Sequence, residues 1–216
     1  MNTGEALRYL GAANPSEELR RQAEEIAGGI REKPRYTYRV FALTRTPEGI
    51  VLDGSGVVLA GRMAETMLSE CGQAALLACT LGAEFDRRLR GMQVRDMASA
   101  VILDACGSAL VEESCDAAET ELAGRFPERF LTDRFSPGYG DLPLDVQPEI
   151  CAALDTPRRL GLYVTGSLLM NPMKSVTAII GLSDRPQAAR IRGCGHCRLR
   201  EDCPYRKGGK HCGEGV

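Results

Sequence analysis

The spacing of apolar positions divides the chain into alternating helical and extended segments. Asn14, Pro15 and Glu17 read as an N-cap, a first-turn proline and a capping-box acid. Leu19, Ala23, Ile26 and Ile30 then recur at helical spacing until Pro34. Tyr36 to Thr44 is rich in β-branched and aromatic residues and predicts a strand, and "IVLDGSGVVLAG" predicts a hairpin turning at Asp53-Gly54. Gly61 to Glu70 predicts a short helix, "QAALLACTLG" a buried strand, and a further helix starts at Ala83. The longest element runs from about Asp96 to Leu122 without a proline, a helix of roughly 40 Å at ~1.5 Å per residue. Beyond Arg134 a loop leads to a short helix near Gln147 to Ala153. Two strand-like runs follow, "RLGLYVTGSLLM" and "SVTAIIGLS", joined by "NPMK" as a hairpin with Asn171-Pro172 at its tip. Strands that are neighbours in sequence, interspersed with helices, predict an α+β fold: a largely antiparallel twisted sheet packed with helices, one of them long and central.

That long helix has an unusual face. Asp104, Ser108 and Glu112 recur at i, i+4 and i+8 and form one polar stripe, flanked by the small residues Ala105, Cys106, Gly107 and Ala109. A solvated face of an amphipathic helix is one reading. The other is functional, because Val101, Ile102, Leu103, Leu110 and Val111 bury the helix, and a carboxylate beside so much apolar surface needs a partner.

Composition narrows the class. A chain of 216 residues with 44% hydrophobic residues and a net charge of −2 can bury a sizeable core and carries no basic field for nucleic acid. Its longest apolar runs are too short to span a bilayer, and the start "MNTGEALRYL" lacks a signal peptide's pattern, so a cytoplasmic location is expected. No G-x-G-x-x-G or G-x-x-x-x-G-K-[ST] phosphate loop occurs.

Nine cysteines are many, and they fall into two groups. Cys71, Cys79, Cys106, Cys115 and Cys151 are scattered among apolar or small residues and read as small buried hydrophobes. Cys194, Cys197, Cys203 and Cys212 crowd into "CGHCRLREDCPYRKGGKHC", with both histidines, His196 and His211, among them. Four thiolates in so short a span fit a tetrahedral zinc or an iron–sulfur cluster, while free or redox thiols stay open. This divides the chain into a body, residues 1–190, and a small metal-binding tail, residues 191–216.

The segment "RFSPGYGDLP" holds the densest candidate chemistry. Arg134 offers a fork of donors suited to a carboxylate, Ser136 and the backbone at Pro137-Gly138 offer close-approaching groups, and Tyr139 offers a flat face and a hydroxyl. The set suits a zwitterionic ligand carrying a ring; a plain turn with a capping arginine is the alternative.

"RFSPGYGDLP" resembles the R-x-x-P-G-Y loop of the activation domain of cobalamin-dependent methionine synthase. "LDACGSALVEESCD" resembles that domain's long helix, "GSLLMNPMKSVTAIIG" its S-x-x-M-x-P-x-x-S-V hairpin, and "EALRYLG" the start of its small stand-alone relatives. The resemblance covers roughly residues 1–185 and is strongest from Leu103 onward. It implies binding of S-adenosylmethionine by Arg134, Ser136, Gly138 and Tyr139, with Glu112 supplying the family's helix glutamate and Arg134 pairing with the ligand carboxylate.

The same resemblance implies a reactivation subunit that supports reductive methylation of cob(II)alamin on a partner corrinoid methyltransferase. The corrinoid would arrive on that partner, because no D-x-H-x-x-G run is present, and the electron would come from a flavodoxin- or ferredoxin-type donor. The alternative role is a non-catalytic S-adenosylmethionine sensor or assembly module for a corrinoid protein. Two departures stand out. After the tyrosine this chain reads "GDLPLD" in place of a Pro-Ala-Cys-Pro type run, and Ile179-Ile180 occupy the place of a hairpin aromatic.

Overall fold

Two strands that are apolar on both faces dictate the architecture. The computed structural model describes residues 2–187, 189–191 and 201–202. Strands β4 (Cys71–Thr80) and β8 (Ser175–Ser183) are buried almost throughout and pair antiparallel along their whole length. A strand with apolar side chains on both faces needs cover on both. The rest of the chain supplies it.

The remaining strands extend this pair outward. On one side lie β1 (Arg35–Thr46), β2 (Gly49–Leu52) and β3 (Val57–Leu59); on the other lies the two-residue β5 (Phe130–Leu131). The sheet has six strands in the order β3-β2-β1-β4-β8-β5, and every pairing is antiparallel. The hairpin between β2 and β3 turns at Asp53-Gly54 as its sequence predicts, with Gly54 at φ 73°.

One face of the sheet carries α1 (Thr3–Tyr9), α2 (Glu17–Gly28), α4 (Gly82–Arg95) and the 29-residue α5 (Met97–Arg125). The α5 helix is apolar on two sides because it lies between layers. Leu103, Val111, Cys115 and Leu122 meet the sheet through Ala75, Leu77 and Ile180, whereas Ile102, Cys106 and Ala109 meet Ala6, Leu7 and Ala23 of α1 and α2. The opposite face is covered by α3 (Arg62–Met67), α6 (Gln147–Leu154), α7 (Thr156–Leu160) and the loop between β5 and α6.

Small residues on α5 serve close packing between helices. A Cβ on Gly107 would lie 2.5 Å from the ring of Phe85 in α4, a side chain that is fully buried. The five scattered cysteines are free and buried, as their surroundings in the sequence predict.

Two expectations are corrected. The cap of α2 is Ser16, whose hydroxyl accepts from Leu19 N at 3.2 Å, and not Asn14. Pro15 disfavours helical backbone in the residue before it, so the helix starts beyond the proline and keeps Glu17 and Glu18 in its first turn, where the helix dipole favours them.

The second correction concerns the hairpin across "NPMK". Thr156-Pro157 starts α7 and Gly161, at φ 67°, stops it, so the run from Arg159 to Met170 is mostly not extended. Its remnants, β6 (Tyr163–Val164) and β7 (Met170–Asn171), pair only with each other, and β8 goes to the middle of the sheet. The seven-residue α1, capped by Asn2, was not anticipated as a helix.

Gly107→Ala tests the packing account. Helix propensity alone favours alanine by ~1 kcal/mol, whereas forcing a methyl group into a filled core costs about 1–3 kcal/mol. We expect a net loss of stability in urea unfolding; a gain would show that Phe85 yields.

Candidate functional site

The segment after β5 is pinned to the sheet by a short ladder. Thr132 N donates to Gly181 O at 3.0 Å, Gly181 N donates to the Thr132 hydroxyl at 2.9 Å, and Phe135 exchanges bonds of 3.1 and 2.7 Å with Ile179. Phe135 is fully buried in the core beneath α6, a placement that contributes about 1.5–3 kcal/mol. In extended backbone its neighbours point the other way. Arg134 and Ser136 are thereby directed to the α5 side of the sheet.

The turn that follows accounts for Pro137 and Gly138. Tyr139 N donates to Ser136 O at 3.0 Å, and Gly138 takes φ 88°, a type II turn with proline at its second position and glycine at its third. Gly140, at φ 59°, continues the reversal, with Leu142 N donating to Tyr139 O at 3.0 Å. Tyr139 is left half exposed.

The departure "GDLPLD" also has a structural role. The Asp141 carboxylate accepts from Met63 N at 2.8 Å and from Arg62 N at 2.9 Å, so it caps α3 from across the chain. The natural cap position of that helix is Gly61, which has no side chain to do so.

Arg134 turns into a cluster of carboxylates on α5. Its Nη1 donates to Asp116 and Glu119, both at 2.5 Å, and its Nη2 to Glu112. Burial opposes its charge, but Glu119, Asp116 and Glu112 more than offset that, so its pKa is raised above the ordinary value. Three carboxylates thus share one guanidinium.

The rest of the α5 stripe is paired as well. Lys174 Nζ donates to Asp104 Oδ2 and to the Ser108 hydroxyl, both at 2.9 Å. The stripe is therefore neither a plain solvated face nor wholly a ligand site, because two of its three residues anchor the turn before β8.

A cleft of ≈ 690 Å³ opens over this floor, within the range of small-ligand sites. Glu112, Arg134, Ser136 and Tyr139 line it together, whereas Gly138 shapes the turn without lining it. Ile179 and Ile180 are fully buried in the sheet and do not line it; the start of β8, Ser175 to Thr177, does.

The opposite wall was not found by sequence reasoning. It comes from Leu168, Leu169 and Met173, held by Gln147, whose amide donates to Leu168 O at 3.1 Å and whose carbonyl accepts from the Thr177 hydroxyl at 3.4 Å. Leu168 sits at φ 62°, a conformation costing about 1–2 kcal/mol for a side-chain-bearing residue, so the wall is held against local preference. Only the buried Gln147 could have marked it, and nothing around it in sequence does.

Cys194, Cys197, Cys203 and Cys212 lie outside the described residues. Among the described residues no group of His, Cys, Asp or Glu could hold a metal ion. Among the same residues, no helix is long and apolar enough to cross a membrane.

No protein-family model and no curated protein sequence matches the chain. Among solved structures it is similar to the MetH reactivation domain bound to AdoHcy, at 16% identity and a TM-score of 0.58, covering 96% of this chain and 74% of that one. The chain shares the fold of that domain. The α+β architecture with an antiparallel sheet, expected from the sequence, belongs to that shared fold.

The cap on α3 gives a pH test. Hydrogen bonds from Met63 N and then Arg62 N hold the Asp141 carboxyl below its usual range. A depressed folded pKa means that the charged cap stabilises fully above the ordinary carboxylate value of ~4 and is lost as pH falls through the lower folded value. Urea midpoints of the wild type and Asp141→Asn should differ near neutrality and converge in acid. A gap unchanged down to low pH would remove the charge from the account.

Proposed function

We propose that the chain binds S-adenosylmethionine in this cleft and acts as a reactivation subunit for a corrinoid methyltransferase. The observation that carries the reading is the placement of Glu112, on the long helix, opposite the Arg134–Tyr139 loop over one cleft. Two further facts support it. A domain of the same fold was solved with AdoHcy, the demethylated product of that ligand, and the Glu112 carboxylate in the cleft lining suits a cation.

The residues fit the ligand by chemistry. When bound, S-adenosylmethionine supplies a methyl group on a positively charged sulfur. Arg134 would take its carboxylate, Tyr139 at the mouth would cover the flat adenine ring, and Ser136 with the Pro137–Gly138 backbone would hydrogen-bond the polar edge. Because Arg134 Nη2 already donates to Glu112, binding would exchange partners: the ligand carboxylate takes a place on the guanidinium, and Glu112 turns to the ammonium or sulfonium charge. The swap conserves the number of ion pairs, so neither charge is left uncompensated.

The protein's task in methyl transfer would be to hold the sulfonium methyl facing the mouth and to exclude water. Leu144, Leu169 and Met173 are exposed apolar side chains that line the cleft. Such a lined opening suits a partner-borne corrinoid, with the electron supplied by a flavodoxin- or ferredoxin-type donor.

The four tail cysteines are proposed, on their spacing alone, to hold an iron–sulfur cluster or zinc. Ile191, the first residue of the tail, lines the cleft and is fixed by Asp133, which accepts from Ile191 N at 2.9 Å.

Calorimetric titration tests the ligand. The wild type should bind S-adenosylmethionine, and Glu112→Gln should weaken it roughly tenfold, about 1.4 kcal/mol. S-adenosylhomocysteine should suffer less if Glu112 answers the sulfonium; equal losses assign Glu112 to the ammonium. Failure of the wild type to bind either ligand would sink the proposal.

Metal analysis of anaerobically purified protein tests the tail. Iron with sulfide, lost in Cys197→Ala while S-adenosylmethionine binding survives, is the expected result; one equivalent of zinc without iron would make the tail a structural clip.

A further inference from the structure

The order of the sheet leaves part of one strand without a neighbour. β1 pairs with β4 from Arg35 to Ala42, but with β2 only from Leu43 to Thr46. Ala42 O accepts from Asp53 N at 3.0 Å, which fixes the parity: even-numbered residues of β1 turn their backbone groups away from β4. The N–H and C=O groups of Tyr36, Tyr38 and Val40 therefore face outward. Among the described residues no hydrogen bond from beyond the strand reaches them.

Hollows flank this edge on both faces of the sheet. One, of ≈ 380 Å³, lies over β1 and β4 on the α5 side, beside Tyr38, Val40, Gln73, Arg125 and Phe126. The other, of ≈ 340 Å³, lies beside Thr37, Arg39, Arg158 and Arg159, against the ends of α6 and α7. The second hollow leaves room on the α6–α7 side for alternate side chains of an added strand.

Arginines outnumber acids on the α6–α7 side of the edge, where Arg39, Arg158 and Arg159 stand with Asp155. Arg39, Arg158 and Arg159 are exposed, and of these only Arg158 has a carboxylate partner among the described residues, Asp155 at 2.5 Å. The nearest acid on the α5 side is committed: Glu121 accepts from the Tyr36 hydroxyl at 2.6 Å and the Tyr38 hydroxyl at 2.9 Å.

We propose that this edge receives an extended acidic segment of a partner protein as an added strand. Backbone bonds to Tyr36, Tyr38 and Val40 would give the affinity, and acids at every second position, facing Arg39 and Arg159, would give the selectivity. The intervening positions would fall against Tyr38 and Phe126 and suit apolar residues. A second copy of this chain fits poorly, because pairing β1 with itself sets Arg35 and Arg39 against like charges. The site is separate from the cleft and does not depend on what the cleft binds.

The probes are two labelled octapeptides, one alternating glutamate with valine and one alternating lysine with valine, added to the full chain. Fluorescence anisotropy should show binding of the glutamate peptide alone, unchanged by saturating S-adenosylmethionine. Amide hydrogen exchange should slow at Tyr36, Tyr38 and Val40. Arg39→Glu combined with Arg159→Glu should lower the affinity by about tenfold or more. Edge amides that stay unprotected at saturating peptide overturn the proposal, as does equal binding of both peptides. A concentration-dependent dimer whose edge amides are protected without peptide overturns it in favour of self-pairing.

Discussion

Arg134 carries a permanent charge into a place where only 9% of it remains exposed, and the site is arranged around that fact. A guanidinium cannot escape burial by losing its proton, so the protein must bring carboxylates to it. It brings three, from successive turns of α5. The network ties a loop that has little ladder of its own to the most rigid element of the fold. Removing one partner of a buried pair costs about 3–5 kcal/mol, an upper limit here because Glu112 and Asp116 keep substantial exposure. The same network brings Glu112 and Arg134 to the cleft together, so one arrangement both holds the loop and presents both charges to what enters.

The parts of this design that were legible in the sequence are those with local causes. Continuous apolar runs marked β4 and β8, Asp53-Gly54 marked a turn, and Pro137-Gly138 marked another because each requires particular backbone angles at particular residues. The stripe of Asp104, Ser108 and Glu112 was legible as a periodicity. Its partners were not: Lys174 lies 70 positions from Asp104, and Arg134 lies 22 from Glu112. Nothing in helical spacing says which cation arrives. The misplaced hairpin has the same origin, since "RLGLYVTGSLLM" has the composition of a strand but is interrupted by the end of α7 and by Leu168 at positive φ. Local preference lost there to the packing of the cleft wall.

The scattered cysteines show how far composition alone can be trusted. Cys79 and Cys115 place their sulfurs 3.3 Å apart between β4 and α5. The hydrogen bond between them and then burial push the Cys115 thiol up, and burial pushes the thiols of Cys71 and Cys106 up to about 11. A thiol with so little thiolate is a poor nucleophile and a poor metal ligand. These residues pack as small apolar groups.

The residues after Tyr139 are where this chain parts from the motif it resembles, and they are structural. Asp141 reaches α3, a helix whose own cap position is a glycine at φ 99°, and a Cβ there would lie 2.8 Å from Asp141 O. Gly140 is constrained from the same direction, since its Cβ would lie 2.8 Å from Met63. The loop is thus clamped at three points: Phe135 to β8, Arg134 to α5 and Asp141 to α3. A segment fixed at both ends and in its side chains can change sequence between the clamps without moving Arg134 or Ser136. The departure after Tyr139 therefore replaces one run with another that fastens the loop itself, through Asp141, to α3.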